Sequence, residues 1–322
     1  MAVAVVKKVE AEAKEMRTVF AETMMEMART DPRVLYMDCD LMNSIGMVPF
    51  SREFPERTIN CGIQEANMIG VASGLSATGM TPYVHTFGVF ASRRAADQVF
   101  LSAAYGKMNV RIIGSDPGLT AAGNGGTHQP FEDLGIMRGI PEITVIEPTD
   151  SVMLRDMLLQ TKDRYGVFYI RLSRKKSERV YEPGSTFEIG KAVEVRPGHD
   201  VALISSGICV ADSLRAAELL AAEGISARVL NLFTLKPIDK EAVIAAARET
   251  GAIVTAENHN ILNGLGSAVA EVLAENIPTP MERVGVPDVF GEVGTMDYLK
   301  ERYAMRPEDI AAAARRVVGR KT

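Results

Sequence analysis

TINCGIQEANMIGVASGL, residues 58–75, changes its hydrophobic period halfway along. Thr58–Asn60 is short and β-prone. From Glu65 onward Ala66, Met68, Ile69, Ala72 and Leu75 recur at helical spacing. A strand that runs directly into a helix is the unit from which parallel sheets are wound, and Glu65 stands at the junction. The simplest role for Glu65 is a negative charge in a helix's first turn, where it complements the macrodipole. A second role follows from position, because open α/β sheets bind ligands beyond the carboxyl ends of their strands.

The same alternation extends in both directions. Residues 12–30 form an amphipathic pattern with Phe20, Met24 and Met27 among its apolar positions. RVLYMDCDL, TPYVHTF, VRIIGSD, ITVIEPTD and VFYIRLS read as strands, with helices expected over SRRAADQVFLSAAYG and from Ser151. Gln64 to Thr78 reads as a helix closed by Gly79. Residues 179–198 loosen into a Pro- and Gly-containing linker with the first strand of a new unit. DVALISSG, ARVLNLF and GAIVTAEN then alternate with three further helical stretches, ending with one from Gly266. The fold class is therefore α/β with two doubly wound domains, residues 1–178 and 199–322.

Composition narrows the function classes. The 322 residues are 47% hydrophobic and 24% charged, with a net charge of -5, so no basic field invites nucleic acid. No stretch approaches the apolar length of a membrane span, and the apolar run in MAVAVVKKVEAEAKEM is too short for a signal peptide. Three cysteines, Cys39, Cys61 and Cys209, make no disulfide framework and suit a reducing compartment. A cytoplasmic protein is expected.

Five strand ends carry polar or aromatic groups: Asp40, Glu65, Phe87, Ser115 and Arg174. Phe87 and Phe90 in HTFGVF are either core residues or a wall for a flat ring. His128, in GGTHQP, is either a solvated loop residue or a hydrogen-bonding group and acid/base near neutral pH. Arg171 and Arg174 are either a solvated edge or an anchor for phosphate or carboxylate. Glu257 and His259 show no convergent partners in the sequence, which favours a supporting second domain. The glycine-rich stretch 118–126 lacks both the P-loop ending and the dinucleotide fingerprint. HExxH, CxxC, metal-loop and GxSxG patterns are absent too, so no metal site is expected within the chain. Glu, His, Arg and aromatic groups alone suggest an organic cofactor for the difficult step.

The order GIQEANMIGVASGL, HTFGVF, GGTHQPFEDLG, RLSR, LKPID and AENHNILNGLGSAVAE resembles the C-terminal half of the transketolases over nearly the whole chain. The resemblance implies a thiamine-pyrimidine-binding domain followed by a transketolase C-terminal domain, and thiamine diphosphate as cofactor. It puts the family's proton-relay glutamate on Glu65 and its cofactor-packing aromatics on Phe87 and Phe90. His128 falls on the histidine beside the reacting carbon's oxygen. Arg17 and Arg174 fall on arginines that hold a sugar phosphate, and Asp40 and Ser44 on the family's Asp-Leu-x-x-Ser stretch. Three positions depart from the family pattern: Asn124 replaces an acidic residue, Ser115 a phosphate-binding histidine, and Arg93 an aromatic residue beside the cofactor.

No GDG triplet, the family's diphosphate and metal signature, occurs in the sequence. The resemblance therefore implies a separate N-terminal subunit that holds the diphosphate with Mg²⁺ or Ca²⁺, in an α2β2 assembly acting on sugar phosphates; the family's usual substrates are of the pentose phosphate type, and the three departures leave the sugar itself open. A 2-oxo acid dehydrogenase beta subunit, a deoxyxylulose-phosphate synthase fragment and a non-catalytic regulatory module of the same fold are the alternatives.

Overall fold

The computed structural model describes residues 3–321. Its strands are β1 (Val5–Ala11), β2 (Val34–Asp38), β3 (Thr58–Asn60), β4 (Thr81–Phe87), β5 (Val110–Ser115), β6 (Ile143–Ile146) and β7 (Val167–Leu172). They continue with β8 (Glu178–Tyr181), β9 (Val193–Arg196), β10 (Val201–Ser205), β11 (Ala227–Asn231), β12 (Thr234–Lys236), β13 (Ile253–Asn260) and β14 (Met281–Val286). Two mainly parallel sheets result, in the orders β12-β6-β7-β5-β4-β2-β3 and β14-β13-β10-β11-β9. Both faces of each are covered by helices, so β2, β4, β5 and β7 are buried at every position, as expected for parallel strands between helical layers.

Three features differ from the sequence reading. The helix expected over 12–30 starts only at Met16, because Glu12 is drawn inward. Its buried carboxylate accepts hydrogen bonds from Ser151 N, Ser151 Oγ and Ser177 Oγ. Residues before it form β1, which pairs antiparallel with β8. Finally β12, beyond the expected boundary between units, pairs antiparallel with β6 and extends the first sheet. Three residues carry too little periodicity to reveal a strand that crosses between domains.

The domains also meet through buried charge. Arg171, on β7, is fully buried, so it is neither a solvated edge nor an anion anchor. Its guanidinium donates two bonds of 2.8 Å to Asp133 and one of 2.5 Å to Glu147. It also reaches the carbonyl of Asn258 on β13, at 3.1 Å. Tyr169 Oη donates to Asp133 as well, at 2.6 Å. Burial alone would lower the arginine's pKa, yet the charges of Asp133 and Glu147 raise it. Asp133 is held below its ordinary value despite burial, by the charge and hydrogen bonds of Arg171.

Removing one member of such a cluster leaves uncompensated charge in the interior. Arg171→Met is therefore expected to destabilise the chain by roughly 3–5 kcal/mol in urea denaturation. A loss within the scatter of ordinary surface substitutions would show that the cluster holds nothing together.

Candidate active site

The carboxyl edge of the first sheet carries a continuous row of side chains. At its start Glu65 opens the helix Glu65–Ala77. The helix ends at Ala77, with Gly79 in the left-handed conformation that its position after the helix calls for. Glu65 is buried, and its carboxylate accepts hydrogen bonds from Thr86 Oγ1 at 3.2 Å and from Arg94 at 2.7 Å. Arg94 lies four residues after Phe90 on wide helical turns over Phe90–Arg94. Its guanidinium carbon stands 3.9 Å from the Phe90 ring centroid, a cation–π contact.

Phe90 leads to Phe87 and His128. The two phenyl rings are 6.1 Å apart, and the imidazole packs edge-on against Phe87 at 5.7 Å and Phe90 at 5.4 Å. His128 is half-buried in the loop after Gly125, its Nδ1 2.9 Å from Thr127 Oγ1. Arg93 braces this loop from outside through Glu132, at 2.8 Å, and the Thr127 carbonyl, at 3.2 Å. Asn124 is exposed at the end of the short helical stretch Gly118–Asn124.

Beyond Phe87 the row becomes cationic. The Arg174 guanidinium lies 4.9 Å from the Phe87 ring centroid and pairs with Asp116 at 2.5 Å. It also donates to the Ser44 hydroxyl. Arg17 donates to the Ser44 carbonyl at 3.0 Å and pairs with Glu15 at 2.6 Å. Glu65, Phe90, Phe87, His128, Arg174, Ser44 and Arg17, far apart in sequence, thus form one connected edge. Asp40 bonds Asn60 at the sheet margin instead. Ser115 is fully buried with its hydroxyl 3.0 Å from His85 Nε2, and its neighbour Asp116 meets Arg174.

The sequence reading did not single out Arg94, Asp116 or Asn258. Arg94 was findable in principle, since residues four apart share a helix face. Asn258 was not. Its side chain crosses from β13 to accept from Leu119 N and donate to the Pro117 carbonyl, both at 2.8 Å. A Cβ at Gly118, where φ is +52°, would lie 2.3 Å from Asn258, so only glycine lets the two segments approach this closely.

Glu257 and His259 do converge on partners, contrary to the expectation. Glu257 accepts bonds from Leu265 N at 2.6 Å and Gly266 N at 2.9 Å, capping the helix Leu265–Asn276 from inside. His259 bonds the Asn260 carbonyl at 2.7 Å and faces Asp133 at 3.9 Å. The helix start lies too far along the chain from this strand for spacing to announce a cap.

Two domain models match, "Transketolase, pyrimidine binding domain" over residues 12–179 and "Transketolase, C-terminal domain" over 190–310. The chain is also 49% identical to the 6-deoxy-6-sulfo-D-fructose transketolase subunit SqwH of Clostridium sp. (strain MSTE9), covering 98% of each chain. The chain belongs to the transketolase family. A second family member, an apulose-4-phosphate transketolase subunit of Phocaeicola vulgatus, is 32% identical over 92% of this chain and 96% of that protein. A split-gene transketolase described as an inactive beta4 tetramer superposes with a TM-score of 0.89 at 40% identity, over 96% of this chain and 99% of that one.

Transketolase membership implies thiamine diphosphate, and the row fits part of that cofactor. A buried carboxylate at a helix start suits the polar edge of an aminopyrimidine, and the Phe90 and Phe87 rings suit its flat face. Among the described residues no cluster of three or more His, Cys, Asp or Glu side chains could hold a metal, and no helix is long and apolar enough to cross a membrane.

The inner pair of the second domain has a testable pH signature. Burial raises the Glu257 pKa from 4.5 to about 7, so its stabilising contribution is complete below 4.5 and lost as pH rises through 7. Burial lowers that of His259 from 6.5 to about 4, so its contribution is present above 6.5 and lost as pH falls toward 4. The two offset each other in the intact chain. Glu257→Gln is expected to lose stability between pH 7 and 4.5 more steeply than the parent, read from urea midpoints. Parallel profiles would contradict this assignment.

Proposed function

We propose that this chain is one subunit of a thiamine-diphosphate-dependent transketolase, moving a two-carbon ketol unit from a ketose to an aldose whose far ends are anionic. It acts with a second chain that carries the diphosphate site and its Mg²⁺ or Ca²⁺, in a two-plus-two assembly in the cytoplasm. The observation that carries the reading is the unbroken row from Glu65 to Arg17 along one sheet edge. Support comes from two relatives described as transketolase subunits and from a structurally similar beta4 tetramer described as inactive. The absence of GDG from the sequence points the same way. Residues 1–178 supply the row, and 199–322 support it through Asn258 and β12, with 179–198 connecting them.

When bound, thiamine diphosphate supplies the electron sink for breaking and remaking a carbon–carbon bond beside a carbonyl. Glu65 holds a proton at its carboxyl oxygen toward the cofactor's ring nitrogen, with Arg94 as the countercharge that gives way. Phe87 and Phe90 would pack on the flat face of the ring, with Arg93 bracing the His128 loop beside it and Asp40 at the sheet margin bordering the cofactor side. His128 donates a hydrogen bond to the substrate oxygen next to the reacting carbon, and can move its proton. Asn124 meets a sugar hydroxyl from the loop. Arg174, Arg17 and Ser44 hold the terminal anion, with Ser115 behind them.

Two experiments check this reading. The purified chain with thiamine diphosphate and Mg²⁺ is expected to show no ketol transfer, and to gain it on addition of the diphosphate-binding subunit. Full turnover by the chain alone would sink the two-chain assignment. In the reconstituted pair Glu65→Ala is expected to lower kcat by roughly a hundredfold or more, the scale of a lost proton-transfer group. Unchanged transfer would remove Glu65 from catalysis.

A further inference from the structure

We propose that the subsite of Arg17, Ser44 and Arg174 selects a singly charged terminal group, of the sulfonate class, over a doubly charged phosphate, and that Asp116 and Glu15 set that preference. The inference rests on the ketol-transfer reading above and concerns the far end of the same substrate.

Each guanidinium of the subsite is already matched by a carboxylate. Arg174 Nη2 lies 2.5 Å from Asp116 Oδ2, and Arg17 Nε lies 2.6 Å from Glu15 Oε2. Two cations and two anions leave the pair without excess positive charge before any ligand enters. Lys175 adds a third cation, but at the rim, 3.9 Å from Glu15 and largely exposed. Behind the subsite His85 lies between Ser115, at 3.0 Å, and Asp38, at 3.3 Å, so a further acid faces it from β2.

Asp116 is fixed in place. It is 2% exposed, its backbone N–H bonds the Leu172 carbonyl at 2.9 Å, and its φ of 56° is left-handed. Aspartate enters that conformation more readily than most residues, and here burial and the backbone bond hold it there. Burial and the pair with Arg174 keep the carboxylate at the subsite, so a second negative charge there would meet it directly.

Donors nevertheless remain for a tetrahedral oxyanion. Arg174 Nε is buried and without a partner among the described residues, and the Ser44 hydroxyl, which accepts from Arg174, still has its own O–H to donate. A sulfonate spreads one charge over three oxygens. A phosphate monoester carries about −1.5 to −2 at neutral pH, and its extra charge would sit beside two carboxylates in a partly dry site. Like-charge juxtaposition of this kind is how a site rejects a near-isostere.

The test uses the reconstituted two-chain enzyme with two ketose donors of equal chain length, one ending in a sulfonate and one in a phosphate. The ratio of their kcat/KM values is the readout. The sulfonate donor is expected to be favoured by roughly tenfold or more near neutral pH, the scale of one partly screened charge contact. Asp116→Asn, which tolerates the left-handed backbone, is expected to bring the ratio close to one, mainly by lowering KM for the phosphate donor. Glu15→Gln shifts it in the same direction and serves if the first variant does not fold. A purely structural acid would lower both donors equally and leave the ratio unmoved, which overturns the proposal. A phosphate preference in the parent enzyme overturns it also, while leaving ketol transfer intact. Transfer from neither donor overturns the ketol-transfer reading and this inference together.

Discussion

The buried guanidinium of Arg171 is the constraint around which the molecule is assembled. It sits at the end of a central strand of the first sheet, yet its partners come from three other places. Asp133 belongs to the helix after the His128 loop, Glu147 follows β6, and Asn258 lies on β13 of the second sheet. Charge buried without its partners is unfavourable by several kcal/mol, so the fold cannot place one of these segments without the others. The loop with His128 is thereby held against the sheet edge that carries Phe87 and Glu65. Asn258 continues the tie by gripping both sides of Gly118 at the root of the same loop.

A site held this way has its chemistry spread along an edge rather than enclosed in a pocket. Glu65 lies at one end and Arg17 at the other, with aromatic rings and an imidazole between them. Every charged member has a counterion within the chain: Arg94 for Glu65, Asp116 for Arg174, Glu15 for Arg17. Such pairing keeps a half-exposed row of charges in place without a second wall. It also means that ligands must displace or share existing partners, and selectivity follows from which partners yield. Arg94, whose side chain is 43% exposed, has room to move; Asp116 does not.

Much of this was legible in the sequence because it lies at strand ends. The change of period at Glu65, the aromatics after β4 and the arginine after β7 all fall where a parallel sheet presents side chains, and one topology gathers them. The interior ties were harder to read. Arg171 and Arg174 sit three residues apart, but one faces the core and the other the cleft, and the acids that each meets in space decide which, Asp133 and Glu147 for the first and Asp116 for the second. Glu257 looked isolated because its partners are backbone N–H groups of a helix start, which no residue type advertises. β12 was hidden for a related reason: a three-residue edge strand is defined by what it pairs with. Arg94 and Asp116 stood beside residues already singled out, and their importance arises from pairing rather than from any motif.

The proposed function stands or falls on whether this chain supplies one wall of a shared active site, with Glu65 and Phe90 meeting the cofactor. The most direct measurement is a structure of the chain assembled with the proposed diphosphate-binding partner and thiamine diphosphate. The expected result is the cofactor's aminopyrimidine ring against Phe90, with a ring nitrogen in hydrogen-bond distance of the Glu65 carboxyl group and Arg94 displaced from it. A cofactor held entirely by the partner chain, with the Glu65–Arg94 pair intact, would contradict it.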